Sequence, residues 1–366
     1  MDMPNTNPQT TTLDALNAKF DLLAEKCSVN YSCYFGATNN NYTEFDKLDK
    51  SRVCGIKLFM GSSTGNMLVD KMNSLLNIFN GTDLLIAAHC ENHETIKKNT
   101  EKYVREYIEK YPYQYYHVHH ETLPMGYHAK IRSIAACYES SELAVRLARI
   151  ADARLHILHI STAKELSLFD NDIPLEEKRI TAEACVSHLL FDSSDYAELG
   201  TRIKCNPSIK AKTNRDALRQ AVNSNLIDVI ATDHAPHLLS EKEGGPLKAM
   251  SGMPMIQFSL ISMLELVNEG IFTIEKVVEK MCHAPAQIYN IHNRGFIRPG
   301  YQADLVLVRP DALWTVSAEQ ILSKCGWGPL EGRTFDWKVE KTFANGHLLY
   351  TDGQVDEAYR GQEIYF

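Results

Sequence analysis

The chain has 366 residues, 44% of them hydrophobic and 23% charged, and a formal net charge of -8. That size suits one large domain with a smaller appendage, and the acidic balance, without any basic block, excludes nucleic acid as the main partner. The nine cysteines form no C-x-x-C pair and read as reduced thiols of a cytoplasmic protein. Met1–Thr12 are too polar for a signal peptide, and no run reaches the roughly 18 apolar residues of a membrane span.

Taken in chain order, Met1–Asn5 reads as the tail of a strand. Val29–Thr38 and Val53–Gly61 are predicted strands, and the second carries Lys57 inside Ile56-Lys57-Leu58-Phe59-Met60. Leu84–Glu91 is a third predicted strand and places His89 near its end. The cluster His117-Val118-His119-His120 follows a tyrosine-rich loop, away from any strand end, and reads as incidental. Ser140–Ala151 is a predicted helix, with Leu143, Leu147 and Ile150 at helical spacing. Arg154–Ser161 is a strand with His156 and His159. Ile180–Cys185 is a strand followed by His188, which suits a structural role and a site-lining role equally. Asn214–Asn223 is helical, and Val229–Pro236 runs into Thr232-Asp233-His234-Ala235-Pro236-His237. Strands alternating with helices indicate βαβ units and a parallel sheet.

After Met250 the pattern changes. Met253–Glu269 and Thr273–His283 read as helices, Arg294–Gly300 as a turn-rich link, and Ala303–Val308 and His347–Tyr350 as short strands. The second of these follows an Asn345-Gly346 turn. The expected division is a barrel over 1–293 and a β appendage over 294–366.

Polar residues that end at least four strands favour a closed barrel, which gathers chemistry from around its ring, over an open sheet with one switch point. Asp233, by itself, suits a turn cap as well as a metal ligand that doubles as general acid and base. His89 and His159 are structural histidines if taken singly. As a pair at successive strand ends they suit neutral imidazole ligands for zinc. His156, three residues before His159, is expected to face away. Lys57 either snorkels its ammonium outward or, if buried, stays a neutral amine that reacts with carbon dioxide to give a carbamate.

At these residues the chain resembles the dihydroorotases of the amidohydrolase superfamily. The resemblance runs from end to end: MPNT at Met3–Thr6, GIKLFMGSSTG at Gly55–Gly65, HCE at His89–Glu91, HIST at His159–Thr162, CNPSIK at Cys205–Lys210 and TDHAPH at Thr232–His237. It implies a TIM-like (β/α)8 barrel and a binuclear zinc centre. A carboxylated Lys57 would bridge the ions, His89 and His159 would hold one of them, and Asp233 would hold the other and move the proton. Asn5, Asn206, His237 and the Ser251-Gly252 backbone would contact a small cyclic substrate, with dihydroorotate hydrolysis in pyrimidine synthesis as the implied reaction. Lys210 stands where the family often has arginine, which keeps the charge and loses the bidentate fork. The family's first strand, with its D-x-H-x-H motif, has no counterpart in this chain. The expectation is therefore a barrel short of its first strand, a partial β-sandwich appendage, one incomplete zinc site and impaired activity. The rivals are a dihydropyrimidinase- or allantoinase-like enzyme and a non-catalytic partner subunit. A homodimer is also compatible.

Overall fold

The computed structural model describes residues 1–61, 67–118 and 123–366, with the side chains of 117 and 118 excepted. Six strands form one parallel sheet in sequential order: β1 Cys33–Gly36, β2 Val53–Phe59, β3 Ile86–His89, β4 Leu155–Ile157, β5 Ile180–Cys185 and β6 Val229–Ala231. Asp2 adds a parallel bridge to Cys33, so the first residues sit beside β1 as the start of a further strand position. This is the α/β, TIM-like barrel expected from the sequence. Helices cover its outer face, and no helix among the described residues is long and apolar enough to cross a membrane.

The period of two along each strand sorts the core. Ile56, Leu58, Ile86, Ala88, Leu155 and Ile157 belong to the large apolar cluster packed under the helices. Tyr34, Cys54, Leu85, Ala87 and Val229 form a second, smaller cluster inside the barrel. Lys57, Ala87, His156 and Thr181 are register partners in sequence, so they stand at one level of the inner face. His156 therefore points inward, one level below His89, and not away as expected.

Several boundaries differ from the sequence reading, and each has a local cause. The extended runs ending at Ser161 and Pro236 stop early, at Ile157 and Ala231, because His159 and Asp233 adopt left-handed backbone at φ 40 and 44. The helix predicted from Ser140 spans Ile134–Ala151. Ser133 is its true cap, accepting from the Ala136 N–H, and the Ser141 hydroxyl is spent on Glu165 at 2.7 Å. The helix predicted from Met253 begins at Ser259, because Met253 is held in a bridge to His234.

The C-terminal part makes a four-stranded antiparallel sheet from β7 Leu305–Arg309, β10 Lys338–Ala344, β11 His347–Thr351 and β12 Gln354–Val355. A two-stranded ribbon, β8 Trp314–Thr315 with β9 Thr334–Phe335, packs beside the barrel. Asn345 and Gly346 take φ 52 and 81, the positive pair that a two-residue hairpin turn needs. The last residues return to the barrel: Ile364 N–H donates to Tyr31 O at 2.8 Å, and Arg52 pairs with Glu363.

Candidate active site

His89 ends β3 and His159 follows β4, and their side chains meet. His89 Nδ1 lies 3.0 Å from His159 Nε2, with the rings edge to face. Both are buried. Burial holds both below the ordinary histidine pKa, and for His159 the adjacent His89 adds to the effect, so both imidazoles are neutral. Neutral imidazole is the ligand form. Two nitrogens each about 2.0–2.1 Å from a zinc ion stand about 3.3 Å apart at the tetrahedral angle. The observed spacing fits a shared cation with little movement. The outer nitrogen of His89 faces a carboxylate, Glu91 Oε2 at 3.4 Å, the kind of neighbour that a ligating histidine commonly has. Among the described residues His159 Nδ1 has no hydrogen-bond partner.

Among the described residues no three His, Cys, Asp or Glu side chains close on one point. The histidine pair therefore needs another ligand. Lys57, on the same inner surface, is 2% exposed, and its Nζ lies 3.8 Å from the Phe59 ring centroid. Among the described residues its one hydrogen bond, to Leu58 O, is long at 3.3 Å. Burial lowers its pKa to about 7, which leaves a large neutral fraction near neutrality. Asp233 is pushed the other way, to about 6, by loss of water and by the Glu183 charge, while Lys57 opposes the rise. A lysine and a carboxylate of opposite displacement, beside two neutral imidazoles, form a set suited to a cation and to proton transfer.

His159 and Asp233 both occupy the left-handed region, which is uncommon for residues other than glycine and costs of order 1–3 kcal/mol each. Glu183 offsets part of this strain: its Oε1 accepts the His159 backbone N–H at 3.2 Å, and its Oε2 lies 3.2 Å from His156 Nε2. His156 Nδ1 in turn meets the Thr181 hydroxyl at 2.8 Å. The layer under the site is thus a buried polar network that fixes the His159 backbone.

The other expected site residues divide by location. Pro4, next to Asn5, packs against Gly36, whose register partner is Lys57. Asn206 is half-buried, and its Oδ1 is an acceptor without a partner. His237 Nε2 meets Ser251 O at 3.2 Å, and Gly252 is wedged so tightly that a Cβ would lie 2.5 Å from Ala235 O. Lys210 is buried, with its ammonium on Ser208 O and Oγ at 3.0 and 2.8 Å. The 62–66 part of the Lys57 segment and the side chains of the His117–His120 cluster lie outside the described residues.

The sequence reading missed Glu91, Arg132 and Glu183. Glu91 is fully buried and ion-paired with Arg132; burial alone would raise its pKa, but Arg132 and His89 hold it down to about 2. A signal was present, since Glu91 and Glu183 sit at even spacing from inward residues of their strands. His188, left open by the sequence, is buried with Nε2 on Pro207 O at 3.0 Å, and burial lowers its pKa to about 4.

This burial has a pH consequence. His128 is likewise buried and held well below the ordinary range. In the unfolded chain an imidazole protonates near pH 6.5, so below that the unfolded state binds more protons than the folded one. Stability is intact above about pH 6.5 and falls on acidification, by up to about 1.4 kcal/mol per pH unit for each histidine. For His188 the loss continues to its folded value of about 4. Urea unfolding between these pH values is expected to show a shallower slope in His188→Gln than in the wild type; equal slopes would refute the assignment.

Comparison with known proteins identifies the family. Residues 67–349 match the model of the amidohydrolase family. A dihydroorotase from Pyrococcus furiosus is 31% identical over 99% of this chain and 75% of its own length. A dihydroorotase from Methanosphaera stadtmanae is 28% identical, covering all of this chain and 80% of its own. An allantoinase from Bacillus velezensis is 27% identical over 96% and 75%. Among solved structures, the L-hydantoinase from Arthrobacter aurescens superposes with a TM-score of 0.87 at 25% identity, over 97% of this chain and 77% of its own. With most of its length matched by the family model and all of it by such relatives, the chain belongs to the amidohydrolase family.

Proposed function

We propose that the chain is a zinc-dependent cyclic amidohydrolase of dihydroorotase type, acting in the cytoplasm on the ring of dihydroorotate to give N-carbamoyl-aspartate, reversibly, as a step of pyrimidine synthesis. The observation that carries the reading is the neutral His89–His159 pair, 3.0 Å apart, beside a buried Lys57 of lowered pKa. The dihydroorotase relatives and the MPNT, NPSIK and TDHAPH segments favour this ring over hydantoin or allantoin. Nine free cysteines suit a reducing compartment.

The neutral Lys57 amine adds to carbon dioxide: its nitrogen bonds the carbon, one N–H proton leaves, and a carbamate results. With His89 and His159 it would hold one cation. The cation, when bound, contributes Lewis acidity toward a ring carbonyl and toward water. Asp233, with its pKa near 6, takes a proton and returns it to the ring nitrogen as the C–N bond breaks. Asn206 Oδ1 offers an unpaired acceptor to a ring N–H. Asn5, His237 and the Ser251–Gly252 backbone frame the rest of the ring.

Asp233 would be the ligand left for a second cation, and among the described residues no three His, Cys, Asp or Glu side chains converge on one point. We therefore expect slow turnover. The same shortage favours a non-catalytic subunit as the second reading, whose signature is ring binding without hydrolysis. The deciding experiment loads the chain with zinc and bicarbonate, then compares dihydroorotate, dihydrouracil and allantoin by calorimetry and by hydrolysis. Dihydroorotate is expected to bind about tenfold tighter than the other two rings, about 1.4 kcal/mol, and any turnover is expected on it alone. Tighter binding or faster hydrolysis of either other ring overturns the assignment.

A further inference from the structure

We propose that Lys242 is a positioning residue of the site, whose ammonium locks the Met250–Gly252 backbone against His237 and so sets the grip on a cyclic substrate. The inference rests on the reading that His237 and the Ser251–Gly252 backbone face the ring.

Lys242 closes the short turn Leu239–Lys242 that follows TDHAPH, and it is 2% exposed. An ammonium has three donors and no acceptor. Here all three are spent on backbone carbonyls: Gly252 O at 2.7 Å, Met250 O at 2.8 Å and Lys204 O at 3.1 Å. Among the described residues no carboxylate pairs with it. A buried cation without an anion is costly, and an apolar side chain would fill the space at lower cost. What the ammonium adds is geometry.

The carbonyls of the loop alternate. Those of residues 250 and 252 turn inward to Lys242, while that of Ser251 turns outward to His237 Nε2 at 3.2 Å. A carbonyl only accepts, so His237 carries its proton on Nε2. The Gly252 N–H donates to Lys204 O at 2.8 Å, the same oxygen that Lys242 holds, and the Lys204 ammonium bonds Ala249 O. At φ 140, with a Cβ position 2.7 Å from Ala235 Cβ and 3.0 Å from His237 Cδ2, only glycine lets the strip lie this close. From the other side, Trp327 Nε1 donates to His237 O at 2.8 Å, and its ring lies 5.9 Å from Lys242 Nζ. One ammonium therefore touches both jaws of the grip, the 250–252 strip directly and the His237 backbone through Trp327.

The test is hydrogen exchange by mass spectrometry on the full chain. In Lys242→Met, peptides spanning 249–253 are expected to exchange about tenfold faster or more, the loss of a charge-assisted hydrogen bond. Strands β2 and β3 and the zinc content are expected to stay unchanged, and dihydroorotate affinity is expected to fall about as much. Lys242→Gln restores an uncharged amide with two donors and should lie between, which keeps the test readable if the methionine variant folds poorly. A pH arm separates the clamp from simple packing. Burial lowers the Lys242 pKa to about 8, and a neutral amine has one donor fewer. The charged and titratable groups facing it are Lys204, Cys205, His237 and Glu241, with Arg132 behind Lys204. Between about pH 7 and about pH 9.5, after correction for base-catalysed exchange, the wild type should lose protection at 249–253 and Lys242→Met should not. Equal protection in the variants, or loosening spread evenly over the barrel strands, overturns the proposal. If the exchange pattern holds while the wild type fails to bind dihydroorotate, the clamp stands and the substrate assignment falls.

Discussion

Replacing Lys57 by alanine is expected to empty the site of its cation. The two histidines supply two ligands, and a catalytic zinc ordinarily takes about three from the protein. Among the described residues no other His, Cys, Asp or Glu completes the set, and the proposed reading makes the third ligand on Lys57. The lysine is suited to that reaction, because its pKa of about 7 leaves free amine near neutral pH, where an exposed lysine is almost wholly protonated. Wild-type chain incubated with zinc and bicarbonate, then gel-filtered, should retain at most about one zinc per chain by elemental analysis. Lys57→Ala should retain about one-tenth of that or less, since losing one ligand of three weakens binding by orders of magnitude. Purging carbon dioxide should lower the zinc content of the wild type and leave that of the variant as it was. Stoichiometric zinc in Lys57→Ala would show that the carbamate is not part of the site.

Arg132→Met is expected to be the most destabilising single change near the site. Glu91 is fully buried, its Oε1 has no partner, and its Oε2 is held by Arg132 and, at 3.4 Å, faces His89. Without the guanidinium a carboxylate that now sits near pKa 2 becomes an uncompensated buried charge. Breaking a buried pair in this way costs about 3–5 kcal/mol, a large part of the roughly 5–15 kcal/mol available to a typical fold. Urea unfolding at neutral pH should report a loss of that size. Adding Glu91→Gln to Arg132→Met should recover most of it, because the charge that lacked a partner is gone. A single variant within about 1 kcal/mol of wild type, the range of exposed pairs, would mean that water reaches Glu91 and that the pair does little for the fold.

The sequence by itself determined the fold class and which strand segments carry the polar residues. Strand content is legible because β-branched and apolar runs repeat at short range, and Lys57, His89, His159 and Asp233 lie in or just after those runs. The family followed from the same segments, since MPNT, HCE, HIST and TDHAPH are local strings. The hairpin at Asn345-Gly346 was legible for the same reason: its turn chemistry is confined to two residues.

Only the tertiary structure decided the rest. The helix read from Ser140 starts at Ile134, capped by Ser133, and the Ser140 hydroxyl is spent on Met60 O. His156 could not be oriented from spacing, because the left-handed turn at His159 breaks the period of two that the reading assumed. Arg132 lies 41 residues from Glu91, and Lys242 binds carbonyls eight to 38 residues away. Nothing local marks such partners, since a buried cation is paid for by groups that only folding brings near. The histidine pair shows both halves. Each ring's place at or just after a strand is written in its own segment, whereas the 3.0 Å between their nitrogens comes from the pairing of neighbouring strands in the sheet.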